Sequence, residues 1–243
     1  MALEFTSLAS SSAGCAYRVS CAPAGICPIL IDCGLPYKQL QRGLNFKTSE
    51  LAGCLISHAH GDHCKAAVDL IKAGVECYAS YETWKAIGPE LTSFHCRQII
   101  NIEMKPFMVG IWHVTPFEAT HDCPGTLGFV VESTFGHRLL YLTDSAYSKY
   151  TFPDLTHIAV ECNHSMGILR KNVESGRIDR ERFNRAAHTH MSLERLINML
   201  KANDLSKVQE IHLLHLSDDN SDEAAFKAAV ERATGIPCRV AAR

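Results

Sequence analysis

The chain has 243 residues, 47% of them hydrophobic and 21% charged, with a formal net charge of −2. Such a composition excludes a disordered chain, offers no broad cationic face to nucleic acid or to a membrane surface, and contains no apolar run near the ~18–20 residues of a membrane span. The length fits one α/β domain, residues 1–243, with no second domain inserted. Met1-Ala2-Leu3-Glu4-Phe5 lacks a basic segment followed by an apolar stretch, so no secretory leader is expected. Eleven cysteines, with no CxxC pair among them, suit buried thiols in a reducing cytoplasm rather than a disulfide scaffold.

In chain order, the first third reads as short strands over Leu3–Leu8, Cys15–Cys21 and Pro28–Asp32, separated by serine, proline and glycine breakers. A short helix is expected over Tyr37–Arg42, ended by Gly43. Leu51–Ser57 is an apolar run of strand length. A helix over Lys65–Ala73, a strand over Val75–Ala79 and a helix over Tyr81–Ile87 follow. The middle is strand-rich again, at Arg97–Ile102, Val109–Pro116, Thr126–Glu132, Arg138–Leu142 and His157–Cys162. Helical periodicity returns at Arg180–Ala187 and, most strongly, at Ser192–Asn203. Val208–Leu214 reads as a strand, Asp222–Ala233 as a helix and Cys238–Ala242 as an edge strand. Strands followed by strand and helix alternation point to a layered α/β fold.

The sharpest chemical signal is His58-Ala59-His60-Gly61-Asp62-His63, placed between the apolar run at 51–57 and the expected helix start. Extended backbone puts residues i and i+2 on one side, so His58 and His60 aim at one metal ion. The turn at Gly61 swings Asp62 and His63 toward a second. Nitrogen and carboxylate donors without an obligatory thiolate suit Zn²⁺ or Mn²⁺. Cys64 and Cys123, beside motif residues, are read as bystanders.

HxHxDH at a strand-to-helix junction resembles the metallo-β-lactamase fold superfamily, an αββα sandwich with its metals at one edge of two mixed sheets. The resemblance implies further ligands in a fixed order: His121 as the third histidine, Asp144 as the aspartate shared by two divalent ions, and His215 as the last ligand. Asp32 resembles the early aspartate that orients the site without binding metal. The Ser/Gly-rich opening Leu8–Cys15, Asp32-Cys33-Gly34-Leu35, Glu161-Cys162-Asn163-His164, His190-Met191-Ser192 and His215-Leu216-Ser217 with Asn220 are similar to YycJ/WalJ-type exonucleases over nearly the whole chain. Departures fall at Ser12-Ala13-Gly14-Cys15, where that group tends to Ser-Gly-Asn, and at Thr189 and Leu193. They bear on substrate choice more than on metal binding.

The implied reaction is attack of a metal-bridging hydroxide on a phosphodiester. Asp62 would bind one metal and orient that hydroxide. His190, outside the ligand set, would protonate the leaving oxygen or bind a phosphate, with His188 as the rival for that role. Ser12, His164, Arg180, Arg182, Ser217 and Asn220 are candidate substrate or phosphate contacts; the arginines belong to a basic excess over Arg170–Arg185 that holds a polyanion if it is not simply a solvated face. DNA is the first expected substrate. A small phosphodiester such as a cyclic nucleotide comes second, and a thioester or lactone third, since fold alone does not fix chemistry. A metal-stabilised binding protein without activity is the non-enzymatic alternative.

Overall fold

The computed structural model describes residues 2–22, 25–92 and 94–242. Its strands make two mixed sheets, and its backbone falls into two compact units, Met1–Glu118 with Cys123–His137 and Ala242–Arg243, and Ala119–Asp122 with Arg138–Ala241.

The first unit opens with β1 (Leu3–Ser11), β2 (Gly14–Cys21) and β3 (Ile26–Ile31), paired antiparallel in that order. Strands β4 (Gly53–Leu55), β5 (Cys77–Ala79) and β6 (Ile99–Asn101) then add in parallel beside β3. Parallel neighbours need crossovers, which α1 (Tyr37–Gly43), α2 (Gly61–Cys64), α3 (Ala67–Lys72) and α4 (Tyr81–Ile87) supply. Ala16, Leu30, Cys54 and Cys77 share one sheet face and pack with Leu40 of α1, Leu70 and Ile71 of α3 and Trp84 of α4. The same unit carries an antiparallel meander of β7 (Phe107–Val109), β8 (Trp112–Glu118) and β9 (Leu127–Ser133).

The second unit has four parallel strands in the order β10 (Arg138–Leu142), β11 (His157–Glu161), β12 (Glu210–Leu214) and β13 (Cys238–Val240), the last at the edge as expected. Its helices are α5 (Met166–Glu174), α6 (Arg180–Thr189), α7 (Leu193–Lys201) and α8 (Glu223–Thr234). Side-chain oxygens of Ser165, Asp179, Ser192 and Asp222 each accept a hydrogen bond from a first-turn amide, satisfying donors that a helix start leaves open. Leu169 of α5 and Ala187 of α6 bury a small core of their own with Ile178.

Several expected elements are divided or shortened. The run Val109–Pro116 is two strands, because Gly110 at φ +57° turns the chain between them. The helix expected at Lys65–Ala73 is α2 followed by α3; between them the Ala66 amide leaves the helical ladder and donates to the Cys33 carbonyl at 2.9 Å. Arg97–Ile102 begins as a 3-10 turn over His95–Gln98 before β6. Helix α5 was not expected at all: a polar Arg170-Lys171-Asn172 stretch masks its apolar stripe.

Candidate metal centre

Most candidate site residues lie just beyond the carboxyl ends of parallel strands, where open α/β sheets gather their functional groups; His121 follows the antiparallel β8 instead. Three site residues, the orienting Asp32 and the candidate ligands Asp144 and His215, have left-handed backbone: Asp32 after β3 at φ +59°, Asp144 after β10 at φ +43° and His215 after β12 at φ +51°. An L-residue holds that conformation against a steric penalty, and such strain concentrates at functional sites. Here it reverses the chain as each strand ends.

In the first unit Asp32 organises the histidine motif. It is fully buried. One carboxylate oxygen accepts the Ser57 amide at 2.8 Å; the other accepts the Ser57 hydroxyl at 3.0 Å and Nδ1–H of His63 at 2.8 Å. The hydroxyl proton of Ser57 is thereby committed, so its oxygen accepts Nδ1–H of His58 at 3.0 Å. The consequence is that both His58 and His63 present their lone pair at Nε2, the form a metal needs. His60 Nδ1 lies 3.1 Å from His58 Nε2, and Asp62 Oδ2 lies 3.8 Å from His63 Nε2. Gly34 permits this packing, since a Cβ there would meet the Asp62 carbonyl at 1.6 Å. Ser12 sits exposed in the two-residue turn between β1 and β2.

In the second unit Glu161, at the end of β11, is the hub, and the sequence reading had not singled it out as a site residue. It is fully buried. It accepts the amides of Ser145 at 3.1 Å and Met191 at 2.9 Å, and Nδ1–H of His190 at 2.6 Å and of His215 at 3.1 Å. Burial pushes its carboxyl upward in pKa, but the His190 charge and the two histidine hydrogen bonds outweigh that and bring it to about 2. Burial likewise opposes a charged His190, yet Glu161 raises that imidazole above its ordinary value. His215 Nδ1 also lies 2.9 Å from Asp144 Oδ1, and His121 Nε2 3.6 Å from Asp144 Oδ2. The His121 ring is held by its Nδ1–H bond to the Thr189 carbonyl at 3.1 Å. Ligand atoms of Asp144, Glu161, His190 and His215 all fall within 4.8 Å of one another, an N/O donor set that suits a first-row divalent ion.

The remaining sequence candidates divide. His190 lies with the cluster; His188 is exposed on α6 and donates Nδ1–H to the Asn184 carbonyl at 2.7 Å. His164 is fully buried and does not lie on a rim, which removes the exposed position expected for it. Asn220 is buried as well. Its carbonyl oxygen accepts from Asn172 and its amide donates to Ser217, which fixes the loop after β12. The basic stretch is partly neutralised, because Arg177 and Arg182 flank Asp219 at 2.9 and 3.9 Å and Arg185 meets Asp122 at 3.1 Å. Arg180 stays exposed at the start of α6.

Comparison with known proteins places the chain in a family. The family model described as "Beta-lactamase superfamily domain" matches residues 28–215, a span that contains every candidate ligand. The chain belongs to the beta-lactamase superfamily. The expected fold class, α/β with two mixed sheets flanked by helices, is the one found, and the protein is a metal-dependent hydrolase. It is 26% identical over 247 residues to "Exodeoxyribonuclease YycJ" of Bacillus anthracis, covering 96% of this chain and 89% of that protein. Among solved structures it resembles the metallo-beta-lactamase fold protein YhfI of Bacillus subtilis, with TM-score 0.73, 14% identity and coverage of 99% and 96%. It also resembles the short form of human tRNase Z, with TM-score 0.61, 17% identity and coverage of 98% and 96%. Among the described residues no helix is long and apolar enough to cross a membrane.

Proposed function

We propose that this protein is a dinuclear metal-dependent phosphodiesterase, and specifically an exonuclease acting on DNA. His58, His60 and His121 would hold one ion, Asp62, His63 and His215 the other, with Asp144 shared. The two units would act as a single domain, a reading supported by the chain's alternation between them at residues 118–123 and 137–138. Bound Zn²⁺ or Mn²⁺ would supply Lewis-acid activation of water and neutralise charge at phosphorus. Asp32 fixes two histidine tautomers for that purpose. Asp62, on the first turn of α2 and 24% exposed, orients the attacking water.

The observation that carries phosphodiester chemistry is the Glu161–His190 pair. Glu161 takes Nδ1–H of His190 and favours the imidazolium, so Nε2 carries the proton that an alkoxide leaving group needs. A thioester, whose leaving thiolate is far less basic, has little use for that acid. The similarity to an exodeoxyribonuclease supports DNA as the polymer. One finding favours the small-phosphodiester alternative: the ion pairs of Arg177, Arg182 and Arg185 leave less free positive charge for a polymer. The cysteines whose side chains the structure describes are free thiols, which supports a reducing, cytoplasmic setting.

The test is an activity panel on purified protein loaded with Mn²⁺ or Zn²⁺. It compares linear DNA, covalently closed circular DNA, RNA, cyclic nucleotides, bis(p-nitrophenyl) phosphate, a thioester and a lactone. Shortening of linear DNA with circles left intact is expected. Rapid cyclic-nucleotide cleavage with DNA untouched would transfer the assignment to the small-substrate alternative.

A further inference from the structure

On β2, Arg18 pairs in register with Leu30 of β3 and Thr6 of β1, so its side chain lies on the sheet face that α1 partly covers. Arg18 is half-buried, and its guanidinium makes no hydrogen bond or ion pair among the described residues. The surroundings make room for it: Gly25 has φ +60°, and a Cβ there would come within 2.7 Å of Arg18 Nη2. The guanidinium faces a cavity of about 300 Å³ whose lining includes Thr6, Asn45, Lys47 and Glu50. Glu50, which lines the same cavity, is engaged by Lys47 at 3.1 Å rather than by Arg18.

Phe46, between the lining residues Asn45 and Lys47, is the second anomaly. It is 73% exposed and has φ +59°, next to Asn45 at φ +51°. Asparagine tolerates the left-handed region; a bulky aromatic does so rarely, and never for burial when it faces solvent. Helix α1 ends into this turn, with the Phe46 amide donating to the Gln41 carbonyl at 2.7 Å. A second cavity of about 320 Å³ shares Leu8 and Gly43 with the first and extends along β1 to Ser11, Gly14 and Leu35. Leu35 follows Asp32-Cys33-Gly34, the segment that braces His63. From Thr6 to Ser11 the strand covers roughly 17 Å, the reach of a short run of nucleotides.

We propose that this groove is a nucleotide subsite for a single nucleic-acid strand, with Arg18 taking a backbone phosphate and Phe46 stacking a base. Arginine matches phosphate in charge and fork geometry, and an exposed ring takes any base on its face. The proposal rests on the phosphodiesterase reading and adds to it a polymer contact remote from the ligands in the first unit.

The test uses the metal-loaded full chain and a single strand of about a dozen thymidines carrying 5-iodouracil. Irradiation should cross-link the oligonucleotide at Phe46, and excess unlabelled strand added before irradiation should suppress the cross-link. Phe46→Ala and Arg18→Gln should each lower kcat/KM on the strand about tenfold, through KM, while the rate on bis(p-nitrophenyl) phosphate stays unchanged. Phe46→Gly, which relieves the left-handed backbone, should melt no earlier than wild type, so its loss of strand binding is not loss of fold. Cross-linking only elsewhere, or equal loss on both substrates, overturns the subsite. Suppression of the cross-link by thymidine monophosphate but not by the strand overturns the strand assignment in favour of a free nucleotide. If the wild type hydrolyses neither substrate, the phosphodiesterase reading fails, and the cross-link still decides whether Phe46 meets a nucleotide.

Discussion

His164 gives the protein a measurable acid liability. Its side chain is fully buried and neither ring nitrogen has a hydrogen-bond partner. Burial, only partly countered by Glu161 and Glu194, pushes its pKa down to about 4 from an ordinary 6.5. Above pH 6.5 the ring is neutral in both folded and unfolded chains and contributes no pH dependence. Between 6.5 and 4 the unfolded chain binds a proton that the folded chain refuses, so stability falls with pH. A span of about 2.5 units at 1.36 kcal/mol each amounts to roughly 3 kcal/mol, a large share of the ~5–15 kcal/mol that holds a domain together. His164→Leu removes the titrating group and two unsatisfied nitrogens, so at pH 8 it should match or exceed wild-type stability. The assay is urea unfolding of both proteins, stripped of metal, at pH 8, 6 and 4.5. The stability difference in favour of His164→Leu should widen by about 2–3 kcal/mol between pH 8 and 4.5, other titrations cancelling in the comparison. A difference that stays constant across that range would refute the reasoning, because it would mean the ring is hydrated or partnered in solution.

Elemental analysis after loading should find two divalent ions per chain, and His58→Ala/His60→Ala should lose at least one; wild type that never holds more than one sinks the dinuclear reading. His190→Ala should lower turnover by ~10²–10⁴ on poor leaving groups, keep its metal, and recover most of the loss on p-nitrophenyl esters; loss of an ion would make His190 a ligand instead. Glu161→Gln must turn its amide either toward the two histidines or toward the amides of Ser145 and Met191, so two buried donors lose their acceptor. Thermal unfolding at pH 7 should show a loss of about 3–5 kcal/mol, and an unchanged melting temperature would contradict Glu161 as the hub. That carboxylate's contribution, set by a lowered pKa, is present above about 4.5 and fades as pH falls toward about 2, so wild type and variant should converge in strong acid. Arg180→Ala/Arg182→Ala should flatten the salt dependence of DNA binding by less than two log–log units, since Asp219 already engages Arg182; no change in slope would remove α6 from the DNA contact.

The candidate ligands were legible in the sequence because metal chemistry selects residue types, and the spacing of His58, His60, Asp62 and His63 is set by one strand end and one turn. Helix α7 was equally legible, since its apolar stripe and Ser192 cap are local patterns. What the tertiary structure decided are relations between residues far apart in the chain. Glu161 meets His190 and His215 only because β11, β12 and the start of α7 converge. The tautomers of His58 and His63 depend on a carboxylate at residue 32, and no local pattern encodes that hydrogen bond. Burial too is collective: His164 and Asn220 read as polar contacts for substrate, yet packing encloses them. The arginines of α6 and its approach read as a free cationic run, yet Asp219 and Asp122 arrive beside them from distant loops. Sequence spacing fixes which groups are on hand, and the left-handed backbone at Asp32, Asp144 and His215, each just past a strand end of the folded sheets, helps set where they point.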